Sequence, residues 1–159
     1  MNIRNATRLD VIACARIQRA TESSRMEYSR KAEMLTRKYL QRYLSNDYST
    51  FLVAEDGNET MGHIVFSYDE WNNSIHIDLL FIRPNRQNQG IGSKLIDAVV
   101  ERVKKQGARI IFLETNKMEN DAIKFYKKNG FRVAGHINGM YNEARGDAIV
   151  MSKALNKKN

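Results

Sequence analysis

Apolar residues fall along this chain in two rhythms. One is every second position or unbroken, as in strands, and the other is every three to four, as in helices. A short strand is expected over residues 2–6. Thr7 then caps a helix over 10–20 with Val11, Ile12, Ala15 and Ile17 on its apolar side. A polar stretch, 21–29, precedes a second helix over 30–44, where Leu35, Tyr39 and Tyr43 repeat every four residues. Strands over 51–55 and 60–67 flank Asp56-Gly57-Asn58 as a hairpin. The Ile, Leu and Phe of 74–82 suit a strand buried on both faces, ended by Arg83-Pro84.

The rhythm then changes. Leu95, Ile96, Val99, Val100 and Val103 line one face of a helix that Gly107 terminates. A strand over 109–115 follows. Ala122, Ile123 and Tyr126 share a face of a last helix that stops at Gly130. Strands over 131–137 and 148–152 close the series, joined by a long polar loop. The order β-α-α-β-β-β-α-β-α-β-β predicts an α/β (α+β) layered fold. Its central sheet is mixed, with about seven strands and about four helices.

Composition narrows the class. The 159 residues are 42% apolar and 28% charged with one Pro, as in a globular chain. One domain over 1–155 with a frayed basic tail over 156–159 is expected. No apolar run approaches the ~18–20 residues of a membrane span. Arg4, Arg8 and Asp10 leave no place for a secretory leader. The single cysteine, Cys14, excludes an internal disulfide and a thiolate zinc cluster; it belongs to the core, in a cytoplasmic protein. His76 and Asp78 lie two apart on a strand but lack a third ligand, so no metal is expected.

Charge is uneven. The chain carries +8, with −1 over residues 1–80 and +9 over 81–159. The second half suits a polyanion, either nucleic acid or a phosphorylated cofactor. No RNP-type aromatics or zinc-finger spacing support the former, and no nucleic-acid partner is expected. The most specific segment favours the latter. Gln87-Asn88-Gln89-Gly90-Ile91-Gly92 lies between a strand and a helix, where glycines admit close approach and the helix start offers free N–H groups. It lacks the Lys-Ser/Thr of a P-loop, and Leu95 stands where a dinucleotide fingerprint needs its third Gly.

Here the sequence resembles the GNAT superfamily of acyl-CoA-dependent N-acyltransferases, whose Gln/Arg-x-x-Gly-x-Gly/Ala signature Gln87, Gly90 and Gly92 match. Ile82-Arg83-Pro84, Phe112-Leu113-Glu114 and the segment 122–131 extend the likeness over nearly the whole chain. The resemblance implies a mostly antiparallel sheet, acetyl-CoA as cofactor, and turn amides of Gln87, Asn88, Gln89, Gly90, Ile91, Gly92 and Ser93 around its pyrophosphate. It also implies that the strand 74–82 pairs with the pantetheine arm, at Leu80 and Ile82. The family's CoA-contacting Asn, seven residues before the Tyr, is Glu119 here, and Asn120 next to it takes the role. A closer resemblance is to the ribosomal-protein-alanine and protein N-terminal acetyltransferases. Glu114 and Tyr126 are twelve residues apart, as that subgroup's acid–base pair is, and the segment 140–151 is similar to its tail.

The chemistry needs one group to take a proton from the amine and another to give one to the departing thiolate. Tyr126 is the candidate acid, a phenol of ordinary pKa about 10; packing beside Phe125 and Phe131 is its other reading. Glu114 is the candidate base, or else a strand-end carboxylate facing solvent or Lys117, with His76 and Asp78 as rivals. At pH 7 an α-amine is roughly 10% neutral and a lysine amine about 0.04%, so an N-terminal amine demands less of the base. Glu27 and Tyr28 in the first half, with Tyr141, are the expected substrate contacts; Glu22 and Glu33 either attract the cationic amine with them or are ordinary helix-surface charges. The expected function is acetyl transfer to a primary amine, a protein or peptide N-terminus above all. Small-molecule or polyamine transfer is the alternative, and a non-catalytic acyl-CoA sensor is the alternative of another class. A monomer or homodimer is expected.

Overall fold

Among the described residues, alternating and unbroken apolar runs become seven strands, and the 3.6-residue rhythm becomes four helices, in the expected order. The computed structural model describes residues 1–22, 30–141 and 146–155. The elements are β1 (Asn2–Asn5), α1 (Val11–Glu22), α2 (Arg30–Leu44), β2 (Ser49–Asp56), β3 (Glu59–Asp69), β4 (Ser74–Ile82), α3 (Ile91–Lys105), β5 (Ile110–Asn116), α4 (Asn120–Lys128), β6 (Arg132–Ile137) and β7 (Ala148–Ala154). A 3-10 turn, Pro84–Arg86, precedes α3. The sheet order is β1-β2-β3-β4-β5-β7-β6. The β1–β2, β2–β3, β5–β7 and β6–β7 ladders are antiparallel; β4 and β5 run parallel. No helix among the described residues is long and apolar enough to cross a membrane.

The chain forms two compact units, Met1–Ser67 with Asp78–Val99, and Tyr68–Ile77 with Val100–Asn159. In the first, Val11, Cys14 and Ala15 of α1 and Leu40 of α2 pack with Phe51, Val53 and Val65 of β2 and β3. Cys14 is fully buried, as expected, and burial pushes its thiol up to about 12. Gly62 of β3 allows β4 to close in: a Cβ there would stand 2.6 Å from Ile82 Cδ1 and 2.8 Å from the Phe81 carbonyl. In the second unit Ile111 and Leu113 of β5, Phe131, and Ala148 and Met151 of β7 are buried.

Thr7 caps the turn that leads into α1, as expected: its Oγ1 accepts from the Leu9 N–H at 3.3 Å, its own N–H donates to Asp10 Oδ2 at 2.7 Å, and Arg4 clamps the same carboxylate with two 2.9 Å bonds, so the acid sits at the helix start where its dipole favours it. Three local expectations are corrected. Ile12 is exposed, whereas Cys14 is in the core. On α2 the Leu35–Tyr39 stripe faces solvent at 53% and 43% exposure, and Leu40 is the buried residue. β4 is buried at Ser74, Ile75 and Ile77 and only half-buried from Asp78 to Ile82, because an Ile/Leu/Phe run reports strand preference and not how well each face is covered.

His63 of β3 is fully buried between the rings of Phe51 and Phe81, with centroids 5.5 and 5.6 Å away, and neither ring nitrogen has a partner among the described residues. Burial holds its pKa down at about 3, against an ordinary 6.5. The unfolded chain therefore binds a proton that the folded one refuses between those values. His63 favours folding fully above pH 6.5 and loses that contribution as pH falls toward 3. Denaturant titrations should show stability falling by about 1.4 kcal/mol per pH unit below pH 6 from this residue. His63→Leu should flatten that slope by one proton; an unchanged slope would refute the assignment.

Candidate functional site

The segment after β4 is built to meet an anion. The Pro84–Arg86 turn is closed by the Arg86 N–H donating to the Arg83 carbonyl at 2.8 Å, and Gln87 Nε2 donates back to the Ile82 carbonyl at 3.2 Å. Gln89 Nε2 likewise donates to the Asn85 carbonyl at 3.2 Å. With these side chains turned onto the backbone, Asn88 and Gly90 take left-handed conformations, φ +60° and +78°. Left-handed residues leading into right-handed ones turn successive N–H groups to one side, an anion-binding concavity. α3 follows at once with 15 residues, its first N–H groups without helical acceptors and its dipole positive there. Gln87 to Gly90 are exposed, and a Cβ on Gly90 would meet nothing within 4 Å. This open, donor-lined turn fits a diphosphate. Leu80 and Ile82 are half-buried on β4, and Ile91 and Gly92 are buried at the start of α3 with Ser93 half-buried.

In the second unit the parallel register aligns His76 with Phe112, and the ladder covers Ser74–His76 only. Glu114 lies two residues beyond Phe112 on the same face of β5. Glu114 Oε2 stands 2.6 Å from His76 Nε2, and the His76 ring lies 4.9 Å from that of Phe112. Both groups retain partial exposure, 31% for His76 and 17% for Glu114. The sequence sets His76 and Glu114 against each other as rival bases; the structure joins them. Lys117, the expected solvent-side partner of Glu114, is instead paired with Asp147 at 2.6 Å. The other rival, Asp78, accepts a 2.6 Å bond from the Ser67 hydroxyl in the first unit.

Tyr126 lies on α4 with Phe125 and Phe131 edge-on at 5.1 and 5.5 Å. Burial first, and the nearby Tyr141 second, push its phenol above the ordinary range, so it holds its proton at neutral pH. Phe131 N–H donates to the Tyr126 carbonyl at 3.0 Å, and Lys153 Nζ donates to the Asn129 carbonyl at 2.9 Å, which pins the end of α4. Tyr141 is half-buried, its N–H donating to the Gly146 carbonyl at 2.9 Å. Asn120 is the exposed first residue of α4, beside Glu119 at the cap position. Glu33 is buried on α2 and ion-paired with Arg37, with Arg16 at 3.8 Å. Glu27 and Tyr28 lie outside the described residues.

The first unit thus holds a donor-lined strand–turn–helix that fits a diphosphate, and the second holds a carboxylate–imidazole pair and a phenol that keeps its proton. Residues 15–131 match the acetyltransferase (GNAT) family, and the chain belongs to that family. Among the curated proteins similar to it in sequence are two with established names. N-alpha-acetyltransferase 30 of Schizosaccharomyces pombe is 32% identical over 98 residues, 59% of this chain and 65% of that protein. Streptothricin acetyltransferase of Streptomyces lavendulae is 26% identical over 95 residues, 60% of this chain and 50% of that protein. The chain spans about half the length of some of the curated relatives it matches, the streptothricin protein among them. The crystal structure of the ribosomal-protein-S18-alanine N-acetyltransferase from Escherichia coli has the same fold, with a TM-score of 0.81 at 19% identity, covering 99% of this chain and 96% of that one. Acetyl-CoA is the acyl donor of the family.

Proposed function

We propose that this chain transfers an acetyl group from acetyl-CoA to a primary amine, and that the amine is the N-terminal α-amine of a protein or peptide. Residues 1–155 would serve as one acetyltransferase domain, in the cytosol. The observation that carries the reading is the His76–Glu114 pair, a hydrogen-bonded base on the strands of a GNAT fold. The likeness to N-alpha-acetyltransferase 30 supports the acceptor class.

Acetyl-CoA supplies the acyl group already activated as a thioester. The turn amides from Asn88 to Ser93 and the start of α3 bind its diphosphate. The His76–Glu114 pair takes the proton that the acceptor ammonium must lose before its nitrogen can attack. Tyr126 holds a proton on its phenol oxygen for the departing sulfur. One C–N bond forms and one C–S bond breaks; of the two protons the ammonium gives up in becoming an amide, the first goes to the pair and on to solvent, and the second replaces the proton that Tyr126 gave to sulfur, so the step needs no metal or covalent enzyme intermediate. An α-amine, roughly 10% neutral at pH 7, asks less of any base than a lysine amine, about 0.04% neutral.

Glu114→Gln should lower kcat/KM at pH 7 by roughly 10–100-fold. The deficit should shrink as pH rises, because an amine that is already neutral needs no base. A deficit that is constant with pH would argue against the base role. A second reading, a small-molecule amine acceptor, is favoured by the likeness to streptothricin acetyltransferase. Acetylation of a peptide library and of streptothricin and spermidine, with mass-spectrometric mapping of the products, separates the two. α-Amine products are expected; acetylation of the small amines alone would overturn the acceptor assignment.

A further inference from the structure

The phosphate turn is preceded by a charge cluster that the reaction does not use. Glu59, the first residue of β3, places Oε2 2.6 Å from Arg86 Nη2 and Oε1 3.5 Å from Arg83 Nε. Arg83 is committed to the hairpin, since its Nε and Nη2 also donate to the Thr60 carbonyl at 3.1 and 2.9 Å. Arg86 is not. Among the described residues, its Nη2 bond to Glu59 is the one hydrogen bond its guanidinium makes, and its Nε is shielded from water with no acceptor. Two guanidiniums against one carboxylate leave a net positive charge. The next acid, Asp56, is engaged 3.3 Å from the Met1 ammonium. Arg86 is the residue immediately before Gln87, where the turn begins.

We propose that Arg86, backed by Arg83, binds the 3′-phosphate monoester that distinguishes CoA from 3′-dephospho-CoA, with Glu59 as the counter-ion that yields to it. This rests on the turn being the diphosphate site. A guanidinium fork matches phosphate oxygens in pairs, and charge-assisted bonds to a phosphate near two negative charges are stronger than one bond to a half-exposed carboxylate. Glu59 keeps the cation placed and discourages monoanions of carboxylate strength. The cluster would therefore act as a filter for carriers that bear the extra phosphate.

Calorimetric titration of the whole chain with CoA and with 3′-dephospho-CoA tests this without knowledge of the acceptor. CoA should bind at least tenfold more tightly. Arg86→Met should bring the two within about twofold by weakening CoA alone, and Glu59→Gln should widen the gap. Equal binding of both carriers by the unaltered protein would overturn the filter and leave the turn assignment standing. Failure of both carriers to bind would overturn both. A gap that persists in Arg86→Met with an unchanged melting temperature would place the 3′-phosphate elsewhere. Should Arg86→Met fail to fold, Glu59→Gln decides: a gap no wider than in the unaltered protein would count against the proposal.

Discussion

Tyr126→Phe is expected to lower turnover by roughly 10–1000-fold with little change in CoA affinity or melting temperature. The substitution removes one oxygen and nothing else. The edge-on packing with Phe125 and Phe131 needs only the ring, and Phe keeps it. What disappears is a phenol whose ionisation is pushed above its ordinary range by burial and by Tyr141, and which is therefore still protonated when the thiolate leaves. The same shift fixes the pH dependence. Tyr126 should contribute no fall in rate below about pH 10, because the acid remains in its active form throughout. Parallel measurement of kcat, CoA affinity and thermal stability checks the claim. An equal loss in turnover and stability would mean that the hydroxyl serves the fold and not the reaction.

Gly90→Arg should abolish detectable CoA binding. Two effects add. At φ +78° any L-residue carries a local strain of about 1–2 kcal/mol, which alone would leave a folded, weakened turn. The side chain would also leave Gly90 into space that is open for the first 4 Å, on the exposed turn where the diphosphate is to lie. The protein therefore tolerates the substitution and the ligand does not. Gly90→Asn separates the two effects, because Asn accepts the left-handed region, as Asn88 already does at φ +60°. It should retain most of the affinity that Gly90→Arg loses. Titration calorimetry on both variants decides, and full affinity in Gly90→Arg would remove the turn from the binding site.

The features legible in the sequence are those that local chemistry settles. The element order, the two-residue and 3.6-residue rhythms and the turn around Gly90 depend on neighbours within a few positions. α2 shows where that stops. Leu35, Tyr39 and Tyr43 do make a stripe at helical spacing, but the choice of buried face belongs to the sheet, which takes Leu40 instead and covers Tyr43 only in part. The start of α1 shows both sides of this: the Thr7 cap is local and legible, whereas the clamp of Arg4 from β1 on the Asp10 carboxylate is a tertiary contact that capping residue types do not reveal. In the candidate site Gln87, Gly90 and Gly92 could be picked from spacing alone. His76 could be seen as a candidate but not as the partner of Glu114. That pairing depends on a parallel register, His76 opposite Phe112, between strands separated by α3, and no spacing within either strand encodes it. The same holds for Glu59 and Arg86, 27 residues apart and joined only when the hairpin folds back.

The most direct measurement is an amide-resolved NMR titration of the isotopically labelled protein with CoA. The backbone N–H resonances of Asn88 to Ser93 should move first and furthest, saturating together with a single affinity, as main-chain donors on a diphosphate require. Saturable binding that leaves those six amides in place and moves another segment of the chain would contradict the assignment on which the proposed activity depends.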